Sequence, residues 1–313
     1  MPRFVLIGTA ALALAVVGVG ATAAIPAPST QIAYIGKIPQ LHRLALYIIN
    51  TDGSDRQLLT PRGGVAPYTT FSWSPDGQQL TFASGRDDHQ QIVVVNVDGS
   101  GRKRLTSGAL ISLNPNWSPD GGLIVFDRDD PAGHEQIWVM RPDGTGKRRL
   151  TRSAQQNEWP SWSPDSRKIV FERYFGGNRT ELYTMNRDGG EKRKIARVRT
   201  RTTTSGQYWC ACAAWSPDGT KIAYEAMTGK GKPGIFVMNA DGTGRTQLTH
   251  LPQTRDENPD WSPDGTQIAF YSERVGNAEI YVMNADGTQQ HRITHDPWYD
   301  ADPRWKPSLE ASG

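Results

Sequence analysis

The sequence predicts an all-β fold, a six-bladed β-propeller with four antiparallel strands in each blade. Three observations lead to it: a tryptophan turn recurs along the chain, short apolar runs follow each copy, and each chain end holds part of one further unit. The copies begin at Trp73, Trp117, Trp162, Trp215, Trp261 and Trp305. Their spacings are 44, 45, 53, 46 and 44 residues, and repeats of about 40–45 residues are typical of propeller blades.

The recurring turn is Trp-Ser-Pro-Asp-Gly, which is complete in four copies. The third copy ends in Ser166, and the sixth reads Trp-Lys-Pro-Ser. Proline fixes its own backbone angle and lacks an N–H donor, so a strand should stop at this point. We expect the tryptophans to pack in the core and the aspartates to hold the turn, which makes both structural.

Two apolar runs and a second turn follow in each repeat. Short runs rich in Ile, Val, Phe and Tyr favour strands over helices. The first runs are Leu80–Phe82, Ile124–Phe126, Ile169–Phe171, Ile222–Tyr224 and Ile268–Phe270, and the second are Ile92–Val95, Ile137–Met140, Leu182–Met185, Ile235–Met238 and Ile280–Met283. An Asp-Gly pair then supplies the positive backbone angles of a tight hairpin. The repeat ends in Leu-Thr or a close variant.

The two chain ends predict how the ring closes. Residues 32–60 contain two apolar runs, an Asp-Gly turn and a Leu-Thr pair but no tryptophan strand, whereas only eight residues follow Trp305. The two incomplete pieces make one blade, split between the N- and C-termini. Closing the ring in this way also removes exposed sheet edges.

The first residues predict a targeting segment. Arg3 precedes an apolar run that extends from Phe4 to Val19, and residues 21–23 have the small side chains of a cleavage site. Residues 1–23 therefore predict a signal peptide. An uncleaved anchor is the alternative, because residues 4–24 nearly reach the length of a membrane span. We expect a linker at 24–31, the propeller at 32–307, a tail at 308–313, and export to the periplasm, the cell envelope or the medium.

Composition narrows the functions. The formal charge of +3 is mild and gives no case for nucleic acid, and we expect a monomer. The only cysteines, Cys210 and Cys212, should not stay reduced for long in an exported protein. A disulfide across one residue is short and strained, whereas a metal site on two thiols lacks two ligands. Their state therefore stays open at this point.

The motifs together resemble the repeat of the TolB propeller family. The copy that starts at Trp261 reads Trp-Ser-Pro-Asp-Gly, then Ile-Ala-Phe, then Ile-Tyr-Val-Met-Asn-Ala-Asp-Gly. The resemblance covers about residues 32–307 and implies the propeller fold. In the family that this chain resembles, TolB is a periplasmic scaffold that binds a peptidoglycan-associated lipoprotein and carries an N-terminal α/β domain. This chain has a short linker in that place, so the resemblance implies a stand-alone TolB-like propeller.

The connections divide between two rims of the predicted ring. The tryptophan and Asp-Gly turns fall on one rim, which we call the turn rim; the other connections vary in sequence and form the variable rim. Varied loops on a rigid scaffold indicate a binding surface. Polar residues just before the tryptophans are expected near the axis there: Asn114, Asn157, Glu158, Glu257, Asn258, Asp300 and Asp302. They would bind a partner or a hard cation, unless they only hydrogen-bond the loops.

Arginines and an inserted loop are further candidates on the variable rim. Arg86, Arg128, Arg173 and Arg274 recur after the second strand. They would capture an acidic partner or a carboxylate, or form salt bridges within the loops. Residues 197–212 account for the 53-residue spacing and contain basic and aromatic residues, which are types enriched in interface anchors. A tolerated surface loop is the alternative.

These features favour an exported, non-enzymatic binding or scaffold protein. It would engage a protein or cell-wall component through the variable rim and would need no cofactor, although a cation in the central channel is an alternative. The second hypothesis is a metal-assisted propeller lyase or lactonase that acts on a carbohydrate-type substrate. Its metal ligands would be His250, His291 and His295, and a metal-content assay would distinguish the two.

Overall fold

The computed structural model describes residues 30–61, 64–67, 69–86, 89–200, 210–229 and 231–308. The predicted signal peptide, residues 24–29 of the linker, residues 201–209 of the inserted loop and residues 309–313 of the tail lie outside these ranges. No helix among the described residues is long and apolar enough to cross a membrane.

The described chain forms strands and one short 3-10 helix at Pro39–Leu41. The strands are β1 (Gln31–Ile38), β2 (Arg43–Asn50), β3 (Gln57–Leu58), β4 (Phe71–Trp73), β5 (Gln79–Ser84), β6 (Gln91–Asn96), β7 (Lys103–Arg104), β8 (Ser112–Trp117), β9 (Ile124–Asp129), β10 (Glu135–Met140), β11 (Arg148–Arg149), β12 (Gln156–Trp162), β13 (Lys168–Tyr174), β14 (Arg179–Asn186), β15 (Arg193–Arg199), β16 (Ala214–Trp215), β17 (Lys221–Met227), β18 (Pro233–Asn239), β19 (Thr246–Gln247), β20 (Asp256–Trp261), β21 (Gln267–Ser272), β22 (Glu279–Asn284), β23 (His291–Arg292) and β24 (Asp300–Trp305).

The strands form six four-stranded antiparallel sheets, so the predicted six-bladed propeller is confirmed. Blades 1 to 5 are β4–β7, β8–β11, β12–β15, β16–β19 and β20–β23, each with its tryptophan strand at the axis. The remaining sheet has the order β24-β1-β2-β3 and is the predicted split blade. Its closing contact pairs Ile32 with Trp305 and Ile35 with Ala301. The two ends of the chain therefore share one sheet.

Hydrophobic clusters fill the spaces between neighbouring blades. One cluster joins Tyr34 and Trp305 of the split blade to Ile280 of blade 5, and another joins Ile92 of blade 1 to Trp117 of blade 2. Five of the six repeat tryptophans are buried and Trp215 is half-buried. Each blade is thus stabilised by the faces of its neighbours.

The repeat motifs are explained by local hydrogen bonds. In the turn at Trp261, Ser262 Oγ donates to Asp264 Oδ1 at 2.6 Å, and the same carboxylate oxygen accepts from Thr266 N at 3.0 Å. The threonine of the Leu-Thr pair accepts from the third strand; Thr249 Oγ1, for example, lies 3.0 Å from Ile235 N. Blade 3 has Ala196 in place of this threonine, and its outer strand β15 has seven residues where the other outer strands have two.

A left-handed residue recurs three positions before the repeat tryptophan. Asn114, Trp159, Cys212, Asn258 and Asp302 have φ angles of 49°, 54°, 36°, 52° and 53°. In four of these blades the pairing register shifts at this point, which marks a β-bulge. Bulges re-aim side chains and are common beside functional sites. Here they interrupt four of the six inner strands near the variable rim.

Candidate functional site

A cavity of about 500 Å³ opens on the axis at the variable rim. Its lining includes inner-strand residues or residues just before them from blades 1, 3, 4 and 5 and the split blade, which places it at the centre of the ring. The lining residues are Ile35, Lys37, Leu44, Ala66, Pro67, Thr69, Trp159, Cys210, Arg255, Glu257, Asn258, Tyr271, Glu273, Tyr299 and Asp302. Apolar, aromatic and charged groups therefore meet in one concave space, the usual composition of a ligand site.

Three aromatic side chains line this cavity. The rings of Tyr271 and Tyr299 lie 6.2 Å apart at 58°. Tyr271 is buried, whereas Tyr299 is 44% exposed at the mouth. Trp159 reaches from the cavity into the narrow channel below it. Its left-handed backbone is unfavourable for a bulky residue, and such strain is found where a site needs a side chain held in one direction.

A hydrogen-bonded network fixes one wall. Arg255 donates to Glu257 Oε1 at 2.8 Å and to Glu273 Oε1 at 3.1 Å. The Tyr271 hydroxyl donates to the other oxygen of Glu257. Burial raises the pKa of Glu257, while the Arg255 guanidinium opposes that rise. Both oxygens of Glu257 are engaged, so the position of this side chain in the wall is fixed.

Asp302 differs, because one of its oxygens remains available. Asn258 Nδ2 donates to Asp302 Oδ1, and Oδ2 forms no hydrogen bond with a described residue. The backbone N–H of Asn258 is itself held by Glu225 Oε2 at 3.0 Å. Burial raises the pKa of Asp302 to about 7, with Arg304 opposing. Asp302 is therefore a carboxyl group of the cavity with one oxygen free to bind a ligand.

Buried carboxyl groups on the second strands of three blades hydrogen-bond to residues of the inner strands or just before them. Asp127, Glu172 and Glu225 occupy one repeat position, directly after the aromatic residue of the second strand in blades 2, 3 and 4. Glu172 Oε1 accepts from Ala211 N at 2.6 Å and Cys212 N at 2.7 Å in the next blade. Burial raises the pKa of Glu172 to about 8 and raises those of the other two well above their usual range. Glu225 thus holds the cavity bulge at Asn258, and Glu172 holds the backbone beside the cysteines.

Cys210 and Cys212 form a disulfide, with their Cα atoms 5.1 Å apart. Cys210 lines the cavity and Cys212 lines the channel below it. With Glu172 they are the one group of metal-ligand type among the described residues. Because both sulfurs are bonded to each other, they offer no thiolate to a metal. The disulfide instead closes the cavity wall.

The structure brings only some of the predicted polar residues to the cavity. Glu257, Asn258 and Asp302 line it, whereas the others are buried between strands and blades. Asn114 donates to Asp127 Oδ2 at 2.9 Å and accepts from Thr70 N at 3.0 Å. Burial raises the pKa of Asp300 to about 8.

Two of the other predicted polar residues also lie inside the blades. Asn157 donates to Ser153 Oγ at 2.8 Å. Glu158 lies beside Glu135, whose pKa is raised well above its usual range by burial and by Glu158. Neither of them lines the cavity.

The predicted arginines mostly contact their own blades. Arg173 Nε donates to Asn157 Oδ1 at 2.9 Å, and Arg274 pairs with Asp256 at 3.2 Å. Arg128 donates to Ser107 O at 3.0 Å, while Arg86 is exposed. Their capture of an external acid stays a prediction, although three of them already have internal partners.

The three histidines of the lyase hypothesis do not form a metal group among the described residues. His250, His291 and His295 are exposed. None of them lines the axial cavity, so that ligand set does not assemble.

Sequence reasoning missed Trp159, Tyr271, Tyr299 and Arg255. Trp159 is aromatic, whereas the candidates before each tryptophan were polar residues. Aligning the repeats gives the missing signal, because Trp159, Asn258 and Asp302 share one repeat position. Tyr271 likewise replaces the buried acid of blades 2 to 4. Repeat positions at which the residue type differs between blades therefore indicate residues that line the cavity.

The fold and the cavity define a six-bladed propeller with an axial ligand site. The model of the TolB beta propeller domain matches residues 22–207 and 193–311, which is more than half of the chain. The chain therefore belongs to the TolB β-propeller domain family.

Individual relatives are more distant. The crystal structure of TolB from Acinetobacter baumannii superposes with a TM-score of 0.73 at 22% identity, covering 89% of this chain and 67% of that one. Oligogalacturonate lyase in complex with manganese gives a TM-score of 0.54 at 16% identity, covering 76% and 70%. Both likenesses show the fold alone. An uncharacterised protein from Agrobacterium fabrum is 32% identical over 83 residues, 26% of this chain and 27% of that protein. The chain thus matches about a quarter of that curated relative's length, and smaller shares of the next two.

Proposed function

We propose that this chain is an exported, non-enzymatic binding protein that takes part of a protein or cell-envelope partner into the axial cavity. The observation that carries the proposal is the cavity itself, which joins Trp159, Tyr271 and Tyr299 to the available oxygen of Asp302. Its volume of about 500 Å³ lies within the usual range for ligand sites, about 300–1,000 Å³. Membership of the TolB domain family supports the same class of function.

The lining suits a group with an apolar body and a polar end. Aromatic faces bury the body of such a group, and Asp302 then meets its polar end. Arg255 is shared by Glu257 and Glu273, so these three residues shape the wall through their mutual contacts. We propose that binding needs no metal and that chelation with EDTA leaves it unchanged; loss of binding in EDTA would support the cation alternative.

Site-specific photocrosslinking in the producing cell tests the face and the partner together. A photoreactive residue at Tyr299 should give a defined adduct, which mass spectrometry then identifies. Matched positions on the turn rim are Gln78 and Thr266, which are also exposed and should give none. The proposal is wrong about the binding face if adducts form at Gln78 or Thr266 and not at Tyr299.

The identified partner allows a direct measurement. Tyr299→Ala removes an exposed aromatic anchor, and Asp302→Asn replaces the carboxyl group by an amide of the same size that cannot ionise. By calorimetry, each should weaken binding by about tenfold or more, the usual cost of losing an interface anchor. Gln78→Ala is the control and should bind as wild type does. Unchanged affinity in both cavity variants would exclude the cavity as the site.

Export has its own test. We propose that residues 1–23 are removed, so intact mass measurement of the purified envelope or medium fraction should give a chain that begins at Ala24. A full-length chain held in the membrane fraction would instead support an uncleaved anchor. Recovery of the chain in the cytoplasm would refute export itself.

A further inference from the structure

Positive charge is concentrated on the outer strands of three consecutive blades. The segment counted here runs from the Asp-Gly turn to the Leu or Ile that begins the Leu-Thr pair or its variant. It contains three Lys or Arg residues in each of blades 1, 2 and 3, and one in each of blades 4 and 5 and the split blade. These cations lie at 102–104, 147–149 and 192–194. The longer strand β15 adds Arg197 and Arg199. We call these eleven residues the cationic arc.

Most of this charge faces solvent without a carboxylate partner. Ten of the eleven side chains are exposed. Arg149 pairs with Asp130 at 3.2 Å, and Lys194 pairs with Glu181 at 3.5 Å. Arg104, Arg193, Arg197 and Arg199 form no ion pair with a described residue. A net charge of only +3 for the whole chain therefore conceals a strongly basic side.

The arc is continuous from blade to blade. Lys103 Nζ donates to the backbone oxygen of Asp143 in blade 2 at 3.1 Å. Arg148 donates to the backbone oxygen of Asp188 in blade 3 at 2.7 Å. The cations of each blade thus reach the Asp-Gly turn of the next blade, so the positive side chains of the three blades are neighbours.

We propose that the cationic arc binds a flexible anionic polymer that wraps around the outer side of blades 1 to 3. Six blades divide the circle, so the outer strands of blades 1 and 3 point about 120° apart, and a flat membrane cannot touch both. Seven of the eleven cations are arginines, whose planar fork suits phosphate and carboxylate groups. This surface lies apart from the axial cavity, and the proposal does not depend on what that cavity binds.

The surface favours a polymer whose charges lie on its backbone over a nucleic acid. Binding of single-stranded nucleic acid combines basic grooves with aromatic side chains on which bases stack. None of the exposed large hydrophobic side chains lies in the described part of blades 1 to 3. Recognition there rests on charge alone, which suits an anionic polymer without bases.

Binding of labelled long-chain polyphosphate, followed by fluorescence anisotropy at several salt concentrations, tests the proposal. Arg104→Gln with Arg197→Gln removes two charges from opposite ends of the arc. The matched control, Arg43→Gln with Lys221→Gln, removes two exposed charges elsewhere. The arc variant should lose about tenfold in affinity and lower the salt slope by about 1.5, because each lost contact removes about 0.7–0.9. The control variant should match wild type, and thermal melts should show that both variants are folded.

Three further ligands make the test decisive. Tripolyphosphate should bind far more weakly than the long chain at equal phosphate concentration, because it cannot span three blades. Equal binding by phosphatidylglycerol vesicles would overturn the wrapping geometry, and tighter binding by single-stranded DNA of equal charge would assign the arc to nucleic acid instead. The same loss in the arc and control variants would reduce the effect to net charge and refute the arc.

Discussion

Glu172 should make the stability of the protein fall as pH rises. One of its oxygens accepts two backbone N–H groups from Ala211 and Cys212, at 2.6 and 2.7 Å. The other is buried and forms no hydrogen bond with a described residue. Burial raises the pKa from 4.5 to about 8. Between these two values the folded state keeps a proton that the unfolded state releases, so the stabilisation present below pH 4.5 is lost as pH rises through 8.

The size of the effect follows from that shift. One proton corresponds to a slope of about 1.4 kcal/mol per pH unit, and the full shift amounts to about 4–5 kcal/mol. Glu172→Gln keeps the oxygen that accepts both N–H groups and cannot ionise. Its free energy of unfolding should lie within about 1 kcal/mol of wild type at pH 5 and about 4 kcal/mol above it at pH 8.5.

Urea unfolding from pH 5 to pH 8.5, with the disulfide intact, measures this difference. Glu191→Gln is the control, since Glu191 is exposed and its variant should follow wild type throughout. The reasoning is refuted if Glu172→Gln and wild type show the same pH slope. A variant that is destabilised equally at every pH would mean that Glu172 acts only through packing.

Two further predictions concern the ring. Trp117→Ala should lower the free energy of unfolding by about 3–5 kcal/mol, the usual cost of removing a buried aromatic, because Trp117 is only 9% exposed; a loss under about 1 kcal/mol in urea unfolding would contradict its core position. Deleting residues 303–313 removes Trp305 and the last part of β24 and leaves β1 with an unpaired edge, so we expect the cooperative thermal transition to disappear. An unchanged melt would contradict closure by the split blade.

Much of the fold could be predicted because the same motifs recur in several copies of the repeat. The spacing from Trp73 to Trp305 gave the number of blades, and the missing tryptophan strand at the N-terminus gave the closure. The bulges could not be predicted in this way. A left-handed residue is usually glycine or asparagine, and Trp159 and Cys212 carry no such signal. The backbone of Cys212 is instead held by the preceding blade, where Glu172 accepts its N–H.

The cavity was predicted only in part for a related reason. Glu257, Asn258 and Asp302 stand out as polar residues before a tryptophan, and they do line it. Asn114 and Asp300 have the same chemistry but are buried elsewhere. Whether such a side chain faces the axis or a neighbouring blade depends on the shape of its bulge and on the volume beside it, and neither is written in the local sequence.

The pairing of β1 with β24 also determines when the protein can finish folding. Ile35 and Ala301 are partners, yet 265 residues lie between them in the chain. At about 5–20 residues per second, a ribosome needs roughly 13–53 seconds to make that stretch. During this interval one edge of β1 has no partner, although β2 is already available on the other side. A completed second copy nearby offers an equivalent β24, so we expect swapped dimers to increase with the level of expression.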